Sequence, residues 1–366
     1  MRSCAVTTGI TTGKQFLFQV VRTPNHVSRQ YLISSKGGPP KFVSPVLPAI
    51  LPPNKGHQFV DRNASHVPKY PFEPLFQAIS ITNPNFRFDN IDIIANRNSF
   101  RKFLDFVTGR RQDPFCMDLH LVKNTLVIGR RERNARSMIY GAPNSGYGHS
   151  FERAFTVPEA GLDHSSSHHR VITYRLGHLN CAVRFEVDAY YDNGKEDEEP
   201  GIVDSIERDT EIPTLAISQI TIKDSPQPLP GSARVIAKGT NIPISKLAEL
   251  KAHKAEKATA AIPQLWFGRT PYLLTGIHTS GTVKEVKFAH IESRYADWET
   301  ANQENLRKLV SVLGEVKEAV EKMGNGAAVL VCREKGAPIE IMEMRNKTSV
   351  LPEDSLRRFW SFEVDL

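Results

Sequence analysis

Cys181-Ala182-Val183-Arg184-Phe185-Glu186-Val187-Asp188-Ala189 and Leu247-Ala248-Glu249-Leu250-Lys251-Ala252 are the two stretches on which the reading of this chain turns. Both alternate apolar and charged residues, the period of a strand whose successive side chains point to opposite faces. The first turns Val183, Phe185 and Val187 one way and Arg184, Glu186 and Asp188 the other. The second sends Ala248, Leu250 and Ala252 inward and lifts Glu249 and Lys251 together. If the strands are neighbours, three carboxylates and one ammonium converge on one patch. Such a patch suits a hard divalent cation and the activation of water beside it.

Elements on either side support the pattern. Upstream, Gly148-His149-Ser150-Phe151-Glu152 opens a helix over 149–155, where Phe151 and Phe155 share a face, and adds a further carboxylate. Ile91-Asp92-Ile93-Ile94 reads as a short strand, 99–107 as a helix, and 115–130 as a hairpin turning at Lys123-Asn124. Strands over 170–176 and 179–190 are joined through Gly177-His178. Downstream, a helix over 255–268 is kinked or divided by Pro263, and 272–278 with 282–288 makes another hairpin. The strongest helix covers 298–323, with the stripe Leu306, Leu309, Val310, Leu313, Val316 and Val320 and a stop at Gly324-Asn325-Gly326. A final hairpin spans 327–332 and 338–344. His164-Ser165-Ser166-Ser167-His168-His169 reads as a polar loop, not a metal site. Phosphate loops of Walker or Rossmann type are absent from the sequence.

Composition narrows the class. At 366 residues, 40% hydrophobic and 24% charged, the chain can bury a substantial core. Its apolar runs fall short of the ~18–20 residues that span a bilayer, so no membrane partner is expected. Cys4, Cys116, Cys181 and Cys332 are scattered, which suits a reducing compartment and neither a disulfide framework nor a zinc site. The net charge of +7 is misleading. Residues 1–60 hold no Asp or Glu but seven basic residues (Arg2, Lys14, Arg22, Arg29, Lys36, Lys41 and Lys55) and account for the whole excess. The remainder is neutral, so the basic balance does not argue for nucleic acid.

Residues 1–36 are read as a basic extension, disordered or targeting; an acid-free start rich in Arg, Ser and Thr is also the composition of a mitochondrial transit peptide. A single domain over 37–366 follows. It begins with a proline-rich wrap at 37–75 and is interrupted at 193–232 by an acidic, turn-rich insertion, expected to be exposed and partly disordered.

The order of these motifs resembles the DXO/Rai family of decapping and exoribonuclease enzymes, a branch of the PD-(D/E)XK nuclease fold. That family has a G-x-x-F-E helix, an E-x-D strand, an E-x-K strand and a glutamine-bearing helix. The matches are Gly148–Glu152, Glu186–Asp188, Glu249–Lys251 and Gln264, with Arg97 before the 99–107 helix standing for an earlier family arginine. The likeness covers roughly residues 75–345; the interval between Asp188 and Glu249 is longer than the family pattern.

The resemblance implies an α/β (α+β) domain with a central mixed sheet flanked by helices. Glu152, Asp188 and Glu249 would hold the cation, with the Leu250 carbonyl as a further ligand and Glu186 ligating directly or through water. Lys251 would orient the attacking water or stabilise the phosphorane, Gln264 would position water or phosphate, and Arg97 would grip a phosphate. An oxygen donor set without His or Cys favours Mg²⁺ or Mn²⁺ over zinc. The implied substrate is an RNA 5′ end, with a 5′→3′ exoribonuclease as a partner and the nucleus or cytoplasm as the place of action. The alternative is a catalytically inactive protein of the same fold that binds RNA ends or a nuclease.

Overall fold

The computed structural model describes residues 15–21, 32–34, 37–59, 64–65, 67, 69–110, 113–142, 144–163, 165–192, 234–236, 238–255 and 258–361. Their strands divide between two large mixed sheets. The ten-stranded sheet runs in spatial order Arg234–Ile236, Leu32–Ser34, Gln15–Val21, Ser165–Leu176, Leu179–Glu186, Ile93–Asn96, Thr125–Arg130, Phe115–Val122, Ala327–Cys332 and Glu340–Glu343. The seven-stranded sheet runs Thr156–Val157, Lys41–Phe42, Ala189–Tyr190, Leu247–His253, Tyr272–Thr279, Thr282–His290 and Ala49–Ile50. Lys55–Phe59 and Arg136–Tyr140 form a separate pair. The α/β class with mixed sheets and flanking helices is therefore as expected from sequence.

Three apolar clusters hold the layers together. On one face of the ten-stranded sheet, helices Arg97–Val107, Ala258–Gly268 and Gln303–Glu321 bury Phe100, Phe103, Leu265, Trp266, Leu309 and Leu313. On the other face, helices Glu73–Thr82 and Glu353–Phe359 bury Phe76, Ile79 and Phe359, with Trp360 just beyond, against Val127, Val171 and Ala182. Burying each such large apolar side chain contributes roughly 1.5–3 kcal/mol. The third cluster sets Phe151 and Phe155 of the short Gly148–Ala154 helix segment against Leu250 and Leu274 of the seven-stranded sheet.

The two sheets meet where the chain changes allegiance. The Val187 amide still bonds to the His168 carbonyl in the first sheet, while Ala189 already pairs with Ala248 in the second. The two charged stretches are thus neighbours only at their junction, Ala189 with Ala248, while Leu179–Glu186 belongs to the other sheet. They are joined through the two-residue strand Ala189–Tyr190, and Asp188 stands at the junction.

Several local expectations need correction. The helix over 298–323 is two helices, Tyr295–Ala301 and Gln303–Glu321. Asn302 separates them with a non-helical backbone (φ −113°, ψ 13°), and its side-chain amide shares the Trp298 carbonyl with its own N–H. Pro263 does not divide its helix, which runs unbroken over Ala258–Gly268. The polar loop expected around His168 is instead part of the long strand Ser165–Leu176, with His168 and His169 buried.

Part of the supposed basic extension also belongs to the main sheet. Gln15–Val21 pairs antiparallel with Ser165–Ile172, and Leu32–Ser34 pairs beside it. The run Phe16-Leu17-Phe18-Gln19-Val20-Val21 has the composition of a strand, which the missing acidic residues had overshadowed. The remainder of 1–36 and the acidic insertion at 193–232 lie outside the described residues. The proline-rich wrap is mostly irregular but adds the short strands Lys41–Phe42, Ala49–Ile50 and Lys55–Phe59. Among the described residues no helix is long and apolar enough to cross a membrane.

One glycine fixes the height of the Glu152 helix above its sheet. A Cβ at Gly276, in strand Tyr272–Thr279, would lie 2.4 Å from the Phe151 ring. Phe151 is fully buried and cannot retreat, so Gly276→Ala should destabilise the protein by about 1–3 kcal/mol, the usual cost of overpacking. Urea unfolding followed by tryptophan fluorescence measures this; an unchanged midpoint would show that the helix is free to move away.

Candidate active site

Glu249 is the centre of the site. It lies on strand Leu247–His253, is 2% exposed, and receives hydrogen bonds from three side chains on three elements. Arg97, the first residue of helix Arg97–Val107, donates from Nη2 to Oε2 at 3.2 Å. Lys251, two residues along the same strand, and Gln264, from helix Ala258–Gly268, both donate to Oε1. Gln264 is itself held by Arg101 Nη1, which donates to its Oε1 at 3.1 Å. The strand period places Glu249 and Lys251 on one side, as the sequence indicates.

Arg97 sits in a tight space. Its guanidinium carbon lies 5.4 Å from the centre of the Phe185 ring, and a Cβ at Gly268 would come within 3.2 Å of Nη1. Nη2 is spent on Glu249, whereas the buried Nη1 has no hydrogen-bond partner.

Asp188 accepts the Leu250 amide at Oδ2, 2.9 Å away. Burial, reinforced by the like charges of Glu249 and Glu152, pushes the Asp188 carboxyl well above the usual range. Glu249 is also buried, but Lys251 and Arg97 outweigh burial and hold it down at about 2. The Lys251 ammonium loses hydration on burial, yet Glu249 and Asp188 more than compensate and raise its pKa. Two carboxylates a residue or two apart in space are therefore driven in opposite directions.

Asp188 also forms part of the wall of a cavity of about 300 Å³. Glu152, Glu186, His149, Arg153 and His168 are among its other lining residues. Glu152 is half-buried, with His149 Nδ1 3.3 Å from its Oε2. Glu186 is exposed on the cavity wall. Glu249, Lys251, Gln264 and Arg97 do not line this space; the last three, each partly exposed, gather on the buried Glu249. The predicted residues are thus assembled around Asp188 in two groups, an open one of carboxylates and a closed one in which Glu249 is already paired.

Among the described residues no three His, Cys, Asp or Glu side chains are gathered as a ready-made metal cluster. The predicted ligand Glu249 is turned toward Arg97, Lys251 and Gln264. The donor chemistry nonetheless fits a hard divalent cation. Asp188 is a half-buried carboxylate on the cavity wall under the field of two others, and a cation beside it would relieve that repulsion.

Three residues were missed in sequence. Arg101 was visible only as part of an amphipathic helix, although it stands one turn after Arg97. His168 falls in the stretch that reads as a polar loop, and Arg170 reads only as the first residue of the following strand. Arg170, 1% exposed, donates from Nε to His168 Nε2 at 2.9 Å and from Nη2 to the Ile242 carbonyl at 2.6 Å. The continuous run from Val171 to Leu176 is the signal that could have extended the strand back to them.

The profile of one protein family, described as "Domain of unknown function (DUF8563)", matches residues 13–360. Solved structures share the fold at low identity. Rai1 from S. pombe in complex with 3′-FADP is 11% identical, with a TM-score of 0.56 over 93% of this chain and 96% of that one. Rai1 from Scheffersomyces stipitis in complex with (3′-NADP)⁺ and calcium ion is 13% identical, with a TM-score of 0.54 over 98% of each chain. No curated protein matches the chain in sequence. The DXO/Rai-like fold expected from the order of the motifs is the fold observed.

The charge pattern generates a test without substrate. Asp188→Asn retains an oxygen for the Leu250 amide and removes a carboxyl whose ionisation opposes folding. In EDTA at pH 7 the variant should be more stable than wild type by on the order of 1 kcal/mol. The folded-state pKa is raised, so wild type loses this stability as pH climbs above ~4, the unfolded value, and the two proteins should converge below it. Excess Mn²⁺ should reverse the order, since binding at 100 times Kd adds about 2.7 kcal/mol to wild type alone. Urea midpoints across pH, with and without Mn²⁺, measure both effects.

Proposed function

The chain belongs to the family described as Domain of unknown function (DUF8563), and from that premise we propose that it is a metal-dependent hydrolase of RNA 5′ ends, acting by pyrophosphate removal, decapping or 5′→3′ exonucleolysis. The carrying observation is the convergence of Arg97, Lys251 and Gln264 on the Glu249 carboxylate directly behind Asp188. The shared fold supports the reading, as do the ligands of the two Rai1 structures, 3′-FADP and (3′-NADP)⁺ with calcium.

Glu152, Asp188 and Glu249, with Leu250 at the backbone, would hold Mg²⁺ or Mn²⁺. Such an ion, when bound, supplies a Lewis acid and lowers the pKa of its water. The chain's own groups do the rest. Lys251 stays cationic between Glu249 and Asp188, ready to orient water or offset charge on a non-bridging oxygen. Gln264, braced by Arg101, presents its amide at the same point. Arg97 would bring its guanidinium charge to bear on a phosphate from beside Glu249. Glu186 faces the cavity, where it could hold water by hydrogen bonding. A 5′→3′ exoribonuclease partner and an intracellular place of action belong to the same proposal.

A second reading, favoured by the full engagement of Glu249, is a protein that binds RNA ends or a nuclease without turnover. Incubation of the purified chain with Mg²⁺ or Mn²⁺ and 5′-end-labelled RNAs bearing monophosphate, triphosphate or capped ends separates the two. The hydrolase reading expects product from at least one RNA and a loss of about 10²-fold or more in Glu249→Gln. Equal turnover in the variant overturns this assignment; binding with no turnover in wild type selects the second.

A further inference from the structure

We propose that the protein has a second ligand site, separate from the Glu249 cluster, that takes a phosphate-bearing anion. It is a cavity of about 240 Å³ over strands Phe115–Val122 and Thr125–Arg130, walled by Pro71 and Phe72 on one side and Thr348, Ser349 and Val350 on the other. None of its lining residues is shared with the cavity beside Asp188.

The sheet explains why a hollow exists here. Asp118 and His120 are two apart on their strand and face the same side. Gly129 pairs with Asp118 in register and places no side chain over it. The floor is thus a carboxylate and an imidazole, with open space above them where a larger residue at 129 would stand.

Lys69, Arg130 and Arg131 line the cavity, opposed by Asp118 and Glu132. Lys347 stands close enough to act electrostatically on His120. Arg130 forms a fork with Glu132 at 2.7 and 3.2 Å. Arg131 contacts Asp118 through Nε at 2.9 Å, while half of its side chain remains exposed. Four cations against two carboxylates leave the hollow positive.

His120 is the second, independent sign of a ligand. It is 8% exposed, lines the cavity, and makes no hydrogen bond through its ring among the described residues. Burial, then the charges of Lys347 and Arg131, hold the ring at about 4, so it is neutral and carries one N–H donor and one acceptor nitrogen. Its ring nitrogens keep access to the cavity, where a bound acceptor can meet the N–H. The remaining donors are guanidinium and ammonium groups, matched to an anion rich in acceptor oxygens. A phosphate group with the sugar that bears it meets both the charge and the size.

The phosphate could come from a free nucleotide or from the backbone of an RNA strand, and the site stands whether or not Glu249 supports turnover. Calorimetric titration of the full chain with inorganic phosphate, AMP and a 5′-hydroxyl oligouridylate distinguishes these sources. At least one probe should bind, and Arg131→Gln and His120→Gln should each weaken it by about tenfold. Loss confined to the oligouridylate assigns the site to RNA backbone; loss for phosphate or AMP assigns it to a free nucleotide. Arg131 is half-exposed, so its variant tests the proposal even if His120→Gln does not fold. No binding of any probe, or binding that a folded Arg131→Gln leaves intact, overturns it.

Discussion

A buried carboxylate must be neutralised, and Glu249 imposes that demand on everything around it. Its desolvation is opposed by two cations and an amide drawn from two helices and its own strand. Removing one member of such a set leaves an uncompensated charge and typically costs 3–5 kcal/mol. The register of the Arg97 helix, the start of the Gln264 helix and the depth of the Leu247–His253 strand are consequently linked. Gly268 takes part in the same arrangement, since the guanidinium occupies the room a side chain would need.

Asp188 faces the opposite problem. Among the described residues it has no cation of its own at hydrogen-bond distance, only the Leu250 amide and the more distant field of Lys251. Its position follows from topology, because it is the residue between the last bond to one sheet and the first pair in the other. A chain crossing between sheets is a place where a carboxylate can be buried without belonging fully to either hydrophobic layer.

Strand periodicity made Glu186, Asp188, Glu249 and Lys251 legible, because alternation in a strand is a direct geometric rule. The Glu152 helix, the three hairpins and the apolar stripe of Gln303–Glu321 were legible for similar reasons. What escaped depended on contacts distant in sequence. Nothing near Arg97 announces a partner 152 positions away, and nothing near His120 reveals that Gly129 leaves space above its strand. Strands Gln15–Val21 and Leu32–Ser34 are hidden differently, by an acid-free composition that overshadows the strand-forming run Phe16–Val21. Asn302 shows a third cause, a single residue of non-helical backbone that interrupts a strongly periodic helix.

The long interval between Asp188 and Glu249 loses its significance once the pairing on either side of it is considered. Tyr190 pairs with Leu247, the Tyr191 amide bonds to the Lys246 carbonyl at 2.8 Å, and Asp192 meets Lys246 at 3.6 Å. The departing and returning strands are fastened to each other at the base, like the two sides of a buckle. Doubling the length of chain looped out beyond such a fastening costs only ~0.6 kcal/mol in closure entropy. Selection can therefore change the number of residues between Asp192 and Arg234 almost independently of the two carboxylates, while Arg234–Ile236 and Ile242 stay tied to the first sheet. Spacing between motifs is a poor measure of kinship in this fold, and pairing at the base of the loop is a better one.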